Sequence, residues 1–312
     1  LLKSSILKEQ TISLNGDQRS LLRYLLYFDL FDHPISRVEL ENSIEYSSNL
    51  STLVAPLVEA NIVIEDSDYF SLRSAVSYQS SRKAEEQIAQ NAMPKALSRG
   101  KLIYNFPFVK GVYISGSLSK GVLEPDGDVD YFVITEPGRL WLCRSLLILF
   151  KKVFLFNSRK FFCLNYFIDS EHLLIEEQNV FTATELLTLI PLFHDGVHDK
   201  FRNENKWIVD YYPNQAARGL SRTSSVTRMK KLLESFFSGS IGRILDRFFM
   251  NITIKVWKRK FEDFEPPDFD LAMKSRTYVS KHHPQNFQKK VLDAFGKRKL
   301  EIEQIHNIDL GL

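Results

Sequence analysis

Apolar residues recur at helical spacing through residues 17–28, where Leu21, Leu22, Leu25, Leu26 and Phe28 form one stripe. They recur again through 48–60, with Leu50, Leu53, Val54, Leu57 and Val58. Spacings of three and four place such residues on one helix face. Between the two stripes His33-Pro34 ends the first helix, and Ser36 is placed to cap a short second one. Pro56 predicts an irregular start to the third helix. Ile62-Val63-Ile64 and Tyr69-Phe70-Ser71-Leu72 then flank a polar turn at 65–68, which predicts a hairpin.

Three short helices followed by a hairpin predict a winged-helix-like domain over residues 1–80. A connecting helix is expected over 81–103. Beyond it the pattern changes: apolar runs at 111–115, 128–135 and 161–169 predict strands, and stretches 139–156 and 182–192 predict helices. Residues 229–237, 241–257 and 286–305 are amphipathic helices with Arg and Lys interleaved, separated by an acidic linker at 262–270 containing Pro266-Pro267. The expected fold class is α+β, with domains at 1–80, 81–215 and 216–312. Residues 140–156 are the most membrane-like stretch, but Arg144, Lys151 and Lys152 interrupt it, and a spanning helix needs about 20 mostly uncharged residues. A buried helix is expected there, and no membrane association.

Charge changes one part of this picture. Residues 15–75 hold four Lys and Arg against ten Asp and Glu, and residues 218–312 hold nineteen against eleven. A winged helix ordinarily suggests DNA, yet the helix at 48–60 has no Lys or Arg and one acid, Glu59. Without cations there is little attraction for phosphate, so partner binding or packing is expected of this domain. The basic tail suits either a polyanion or the acidic head of the same chain. Only Cys143 and Cys163 are present among 312 residues, which rules out a disulfide framework and zinc spacing and fits a cytoplasmic protein. No apolar run of signal-peptide length opens the sequence.

The chemistry concentrates in residues 111–134. An apolar run delivers Gly116-Ser117, and eleven residues later Asp128 and Asp130 bracket Val129 at the start of a second run. Strand alternation turns both aspartates to one face. Two adjacent carboxylates repel unless a cation lies between them, and hard oxygen ligands at this spacing suit Mg²⁺ or Mn²⁺ held together with substrate phosphates. A Gly-Ser turn offers N–H groups and a hydroxyl to phosphate oxygens. A calcium loop starting at Asp126 is excluded, because its sixth position is Tyr131 and its twelfth Pro137.

Gly116-Ser117-Leu118-Ser119-Lys120-Gly121 followed by Asp128-Val129-Asp130 resembles the nucleotidyltransferase superfamily that includes DNA polymerase β and the small-molecule adenylyltransferases. The motif spans about 25 residues, and the fold it implies about 130. The resemblance implies that Asp128 and Asp130 are catalytic and hold the metal. It also implies that Gly116, Ser117, Ser119 and Lys120 bind the nucleoside triphosphate, with ATP the leading substrate. Relatives often use a third carboxylate on a neighbouring strand. Strand 161–169 offers Asn165 where that acid is expected, and Asp169 four residues on, on the same face by alternation; both are candidate ligands. Arg139, near the site in sequence, is a candidate phosphate contact, and Arg144 is expected to snorkel to the surface. The polar-aromatic cluster at 203–214 suits either stacking of a substrate or packing, and His282-His283-Pro284 reads as a loop entering a helix.

These features imply transfer of NMP from an NTP to an acceptor hydroxyl or phosphate, on a small molecule first and a protein second. The alternative is a nucleotide-binding or regulatory protein whose site has lost catalysis.

Overall fold

Two β-sheets organise the chain, each in its own compact unit. The computed structural model describes residues 13–72, 79–158, 160–213 and 226–311. The first unit takes the chain up to Arg82, a segment starting at Val209, and everything from Lys289; the second takes Lys83–Ile208 and Ala217–Gln288. The helical stretch expected as a third domain at 216–312 is thus divided between the two, and the 215/216 boundary lies outside the described residues.

In the first unit, α1 (Gly16–Asp29) begins where Asn15 and Gln18 cap each other's backbone N–H groups. Its leucine stripe is fully buried. Strand β1 (Ile35–Ser36) leads to α2 (Arg37–Ser43), which opens with a second reciprocal cap between Ser36 and Glu39. Helix α3 (Leu50–Glu59) starts regularly, capped by Asn49, and accommodates Pro56 in its interior, against the irregular start expected. Strands β2 (Ile64–Asp66) and β3 (Tyr69–Ser71) form the hairpin, and β1 joins it in the order β1-β3-β2. Two residues have no period, so β1 left no pattern in the sequence. The last helix, α12 (Phe287–His306), brings part of the basic tail to the acidic head: Arg298 Nε donates to the buried Asp29 Oδ2 at 2.9 Å.

The second unit opens with α4 (Gln79–Tyr104). Its sheet comprises β4 (Val109–Ser115), β5 (Asp130–Thr135), β6 (Cys163–Asp169), β7 (Ile190–His194), β8 (Ser275–Arg276) and β9 (Val279–Lys281). The order is β7-β4-β5-β6-β9-β8, and only β5 and β6 run parallel. Short helix α5 (Gly116–Ser119) follows β4, and α6 (Leu140–Phe154) links β5 to β6. Helix α7 (Val180–Thr188) stops before the expected end, and Ile190–His194 forms edge strand β7 instead. Pro191 fits there because an edge strand leaves one side unpaired. Helices α8 (Val197–Glu204), α9 (Arg228–Phe237), α10 (Ser240–Lys260) and α11 (Pro266–Ala272) complete the unit.

One sheet face buries Val112, Ile114, Tyr131, Val133, Leu164 and Phe167 in a core shared with residues of α4, α6 and α10. The opposite face buries Tyr113, Phe132, Ile134 and Ile168 with Val197 and Phe201 of α8. Arg144 is buried rather than snorkelling: its guanidinium lies 4.7 Å from the Trp257 ring centroid. Among the described residues no helix is long and apolar enough to cross a membrane.

Candidate active site

Strand β4 ends at Ser115, directly opposite Asp130, the first residue of β5. The chain then turns through Gly116 with a φ of +66°. A Cβ at this position would overlap Oδ2 of Asp130. Glycine is therefore required twice, by the left-handed backbone and by the close approach of the carboxylate. Leu118 is buried and anchors the turn, while Ser117 is exposed at its tip.

Two other loop residues have different duties from those the motif suggested. Ser119 is buried, and its hydroxyl donates to Gly116 O at 2.7 Å, with Thr188 Oγ1 at 3.5 Å. It braces the turn from inside. Lys120 Nζ donates to Gly116 O at 3.2 Å and to Glu185 Oε1 at 2.8 Å. Its charge is matched by Glu185, and the pair ties the loop to α7. Glu185 left no local signal in the sequence, since its partner lies 65 residues away.

The aspartate pair is held by the residue between them. Val129 is fully buried; its N–H donates to Lys160 O at 3.0 Å, and its carbonyl accepts from Cys163 N–H at 3.0 Å. Asp128 and Asp130 flank it on the other face, both half-buried. Asp130 Oδ1 accepts from Asn165 Nδ2, and Asn165 Oδ1 accepts from the Cys163 thiol at 3.2 Å. Burial pushes the Asp130 carboxyl up to about 7. A hydrogen bond from Cys163 opposes the rise, and the neighbouring Asp128 adds to it.

Asn165 reaches Asp130 through a bulge. Leu164 pairs with Tyr131 and Tyr166 with Phe132, so Asn165 is the extra residue. The bulge also breaks the alternation that placed Asp169 on the same face. Asp169 pairs with Thr135, at the far end of β5 from Asp130. There it is buried and accepts from the N–H groups of Glu171 at 3.0 Å and His172 at 2.9 Å, with His172 Nδ1 at 2.8 Å. It closes the turn after β6 and is not a ligand of the Asp128–Asp130 site.

Other polar candidates prove architectural. The Arg139 guanidinium donates to the carbonyls of Gly138, Ser238 and Gly239, fixing the start of α6 to the corner between α9 and α10. In the 203–214 cluster, Asn205 is buried and bonds Ile175 N and Leu173 O, and Trp207 donates to it; Asn214 lies outside the described residues. Desolvation pushes the His283 imidazole down to about 4, and the preceding residue, His282, donates its N–H to Asn165 O at 2.9 Å.

Among the described residues no group of three or more His, Cys, Asp or Glu side chains converges on a metal position. The donor set is two carboxylates, with Asn165 turned so that its NH₂, not its carbonyl, meets Asp130. Two carboxylates completed by phosphate oxygens are an ordinary Mg²⁺ environment. A partly desolvated carboxylate whose hydrogen-bond donors are neutral, held near neutrality by burial, also fits a cation. No family model, curated protein or solved structure matches this chain.

Proposed function

We propose that the chain is a nucleotidyltransferase, moving NMP, with AMP as the leading group, from an NTP to an acceptor and releasing pyrophosphate. The observation that carries this reading is the fit of Gly116 against Asp130. The turn at Gly116 is pressed onto the Asp130 carboxylate, where an added Cβ would overlap Oδ2.

In this reading the exposed Ser117 hydroxyl and the N–H groups of its turn hold the terminal phosphates. Asp128 and Asp130 hold a Mg²⁺ or Mn²⁺ ion, which when bound supplies neutralisation of triphosphate charge. Lys120 and Ser119 act one layer back, keeping the turn in place. The acceptor oxygen bonds to the α-phosphorus, and the bond from that phosphorus to the bridging oxygen breaks, leaving pyrophosphate. No carboxylate stands beside Asp130 from β6 to take the acceptor proton. This favours an acceptor already ionised, a small-molecule phosphate, over a hydroxyl that needs a base. The winged-helix-like order of the first unit supports a partner-binding role, because the exposed face of α3 still carries no cation.

Asn165 favours one alternative: a regulatory protein that binds nucleotide without turning it over. Incubation with Mg²⁺ and α-labelled NTPs separates the two readings. Acceptor-dependent pyrophosphate release, lost in the Asp128→Ala/Asp130→Ala double variant, supports the enzyme. Nucleotide binding without release on phosphate, hydroxyl or protein acceptors supports the alternative. An absence of nucleotide binding removes both.

A further inference from the structure

Helices α9 and α10 follow one another with a two-residue break, and α10 is apolar on two sides. One side packs on α6 and buries Gly242, Asp246 and Trp257. On the other, Ile241, Ile244, Phe248, Ile252 and Val256 recur at spacings of three and four and are 59%, 66%, 54%, 44% and 55% exposed. Helix α9 exposes Met229, Leu232 and Phe236 at the same kind of spacing.

The exposed charges carried by these two helices have one sign, and exposed acids enter only in the linker that follows α10, at Glu262, Asp263 and Glu265. Arg243, Arg247, Lys255, Lys258, Arg259 and Lys260 of α10 are all exposed, as are Arg228 and Lys231 of α9. The two acids of these helices are engaged elsewhere: Asp246 is buried and accepts from Leu142 N–H at 2.8 Å, and Glu234 accepts from Phe108 N–H at 2.8 Å. Apolar side chains interleaved with cations and no exposed acid is the composition of a helix that lies in the interface of an anionic bilayer.

We propose that the exposed face of α9 and α10 docks on an anionic lipid surface, lying on the membrane without crossing it. Three observations favour lipid over other occupants. A second copy of this face in a two-fold contact would set these cations against one another. At 100° per residue, Lys255 and Arg259 fall within the α10 stripe, in line with Ile241 and Phe248. A protein groove would strip these two cations of water, whereas at a bilayer their apolar stems enter while the charged ends stay at the headgroups. Nucleic acid would leave the aliphatic side chains without a partner.

The test is sedimentation of the full chain with sucrose-loaded vesicles, either phosphatidylcholine alone or with a third phosphatidylglycerol. Binding is expected only with phosphatidylglycerol, falling at least ~10-fold between 50 mM and 500 mM NaCl. Ile244→Ser/Phe248→Ser and Arg243→Glu/Arg247→Glu should each reduce it at least ~10-fold while thermal melts stay unchanged, as substitutions at exposed positions allow. Equal sedimentation with both vesicle types, or binding insensitive to both double variants, would overturn the proposal. So would failure to sediment. Association of the lipid-free chain into dimers that the same variants abolish would assign the face to a second copy instead.

Discussion

Asp130 and Asp169 occupy opposite ends of the same pair of parallel strands, and they are opposite kinds of carboxylate. Asp169 is buried with its charge satisfied by two backbone N–H groups and an imidazole nitrogen. Asp130 is half-buried, meets the Asn165 amide, lies against Gly116 where an added Cβ would overlap its Oδ2, and is pushed up to about 7. A carboxylate that the fold satisfies is part of the architecture. One pressed against Gly116 and raised by burial is the carboxylate to which the proposed function assigns a cation. Sequence alone assigns both to one metal site, Asp130 through the motif and Asp169 as a candidate third ligand through strand alternation.

The contrast breaks most readily at Asp130 itself. Asp130→Ala should lower nucleotidyl transfer by at least ~10³-fold, since several kcal/mol of charge stabilisation rests on the ion held there. Steady-state pyrophosphate release measures it. Gly116→Ala should come next, with ~10²-fold lower turnover and a stability loss of about 1–2 kcal/mol from the left-handed backbone alone, read by urea denaturation. Asp169→Ala should do the reverse. It should cost about 1–3 kcal/mol of stability by orphaning the Glu171 and His172 N–H groups, with Mn²⁺ affinity of the remaining folded protein unchanged.

Acidity sharpens the comparison further. The folded protein holds a proton at Asp130 up to about pH 7, whereas an unfolded chain releases it near 3.8. Between those values the folded state binds more protons, so this group's contribution to stability falls as pH rises and levels off above about 7. Asp130→Asn should therefore raise the ion-free melting temperature at pH 8, by the equivalent of about 1 kcal/mol. Mn²⁺ affinity of the wild type should rise from pH 6 to pH 8, with half the change near 7. The smallest expected effect is that of Asn165→Asp, which adds a carboxylate beside Asp130 and should tighten Mn²⁺ by ~3-fold at pH 8. Calorimetric titration reads both.

The parts of this site that follow a local rule were legible in the sequence. The Gly116-Ser117 turn and the buried Val129 follow from turn chemistry and the apolar pattern, whereas β5 starts at Asp130 and leaves Asp128 ahead of the strand expected over 128–135. The stripes of α1 and α3, the Ser36 cap and the hairpin after α3 were equally readable. What escaped depends on tertiary register. The bulge at Asn165 has no residue-level mark, yet it delivers that amide to Asp130 and moves Asp169 out of phase. The engagement of Lys120 by Glu185, and of Arg139 by the α9–α10 corner, joins residues 65 to 100 positions apart. Strands β8 and β9 are two and three residues long, too short for periodicity to register, although they extend the sheet beyond β6.

Equilibrium dialysis of Mn²⁺·ATP against the chain at pH 8 is the decisive measurement, because ATP alone chelates Mn²⁺ and only ion held by the protein accumulates on its side. Retention of Mn²⁺ with ATP is expected in the wild type and in Asp169→Asn, and is expected to disappear in Asp130→Asn. Binding lost equally in both variants, retained in both, or absent from the wild type would contradict it.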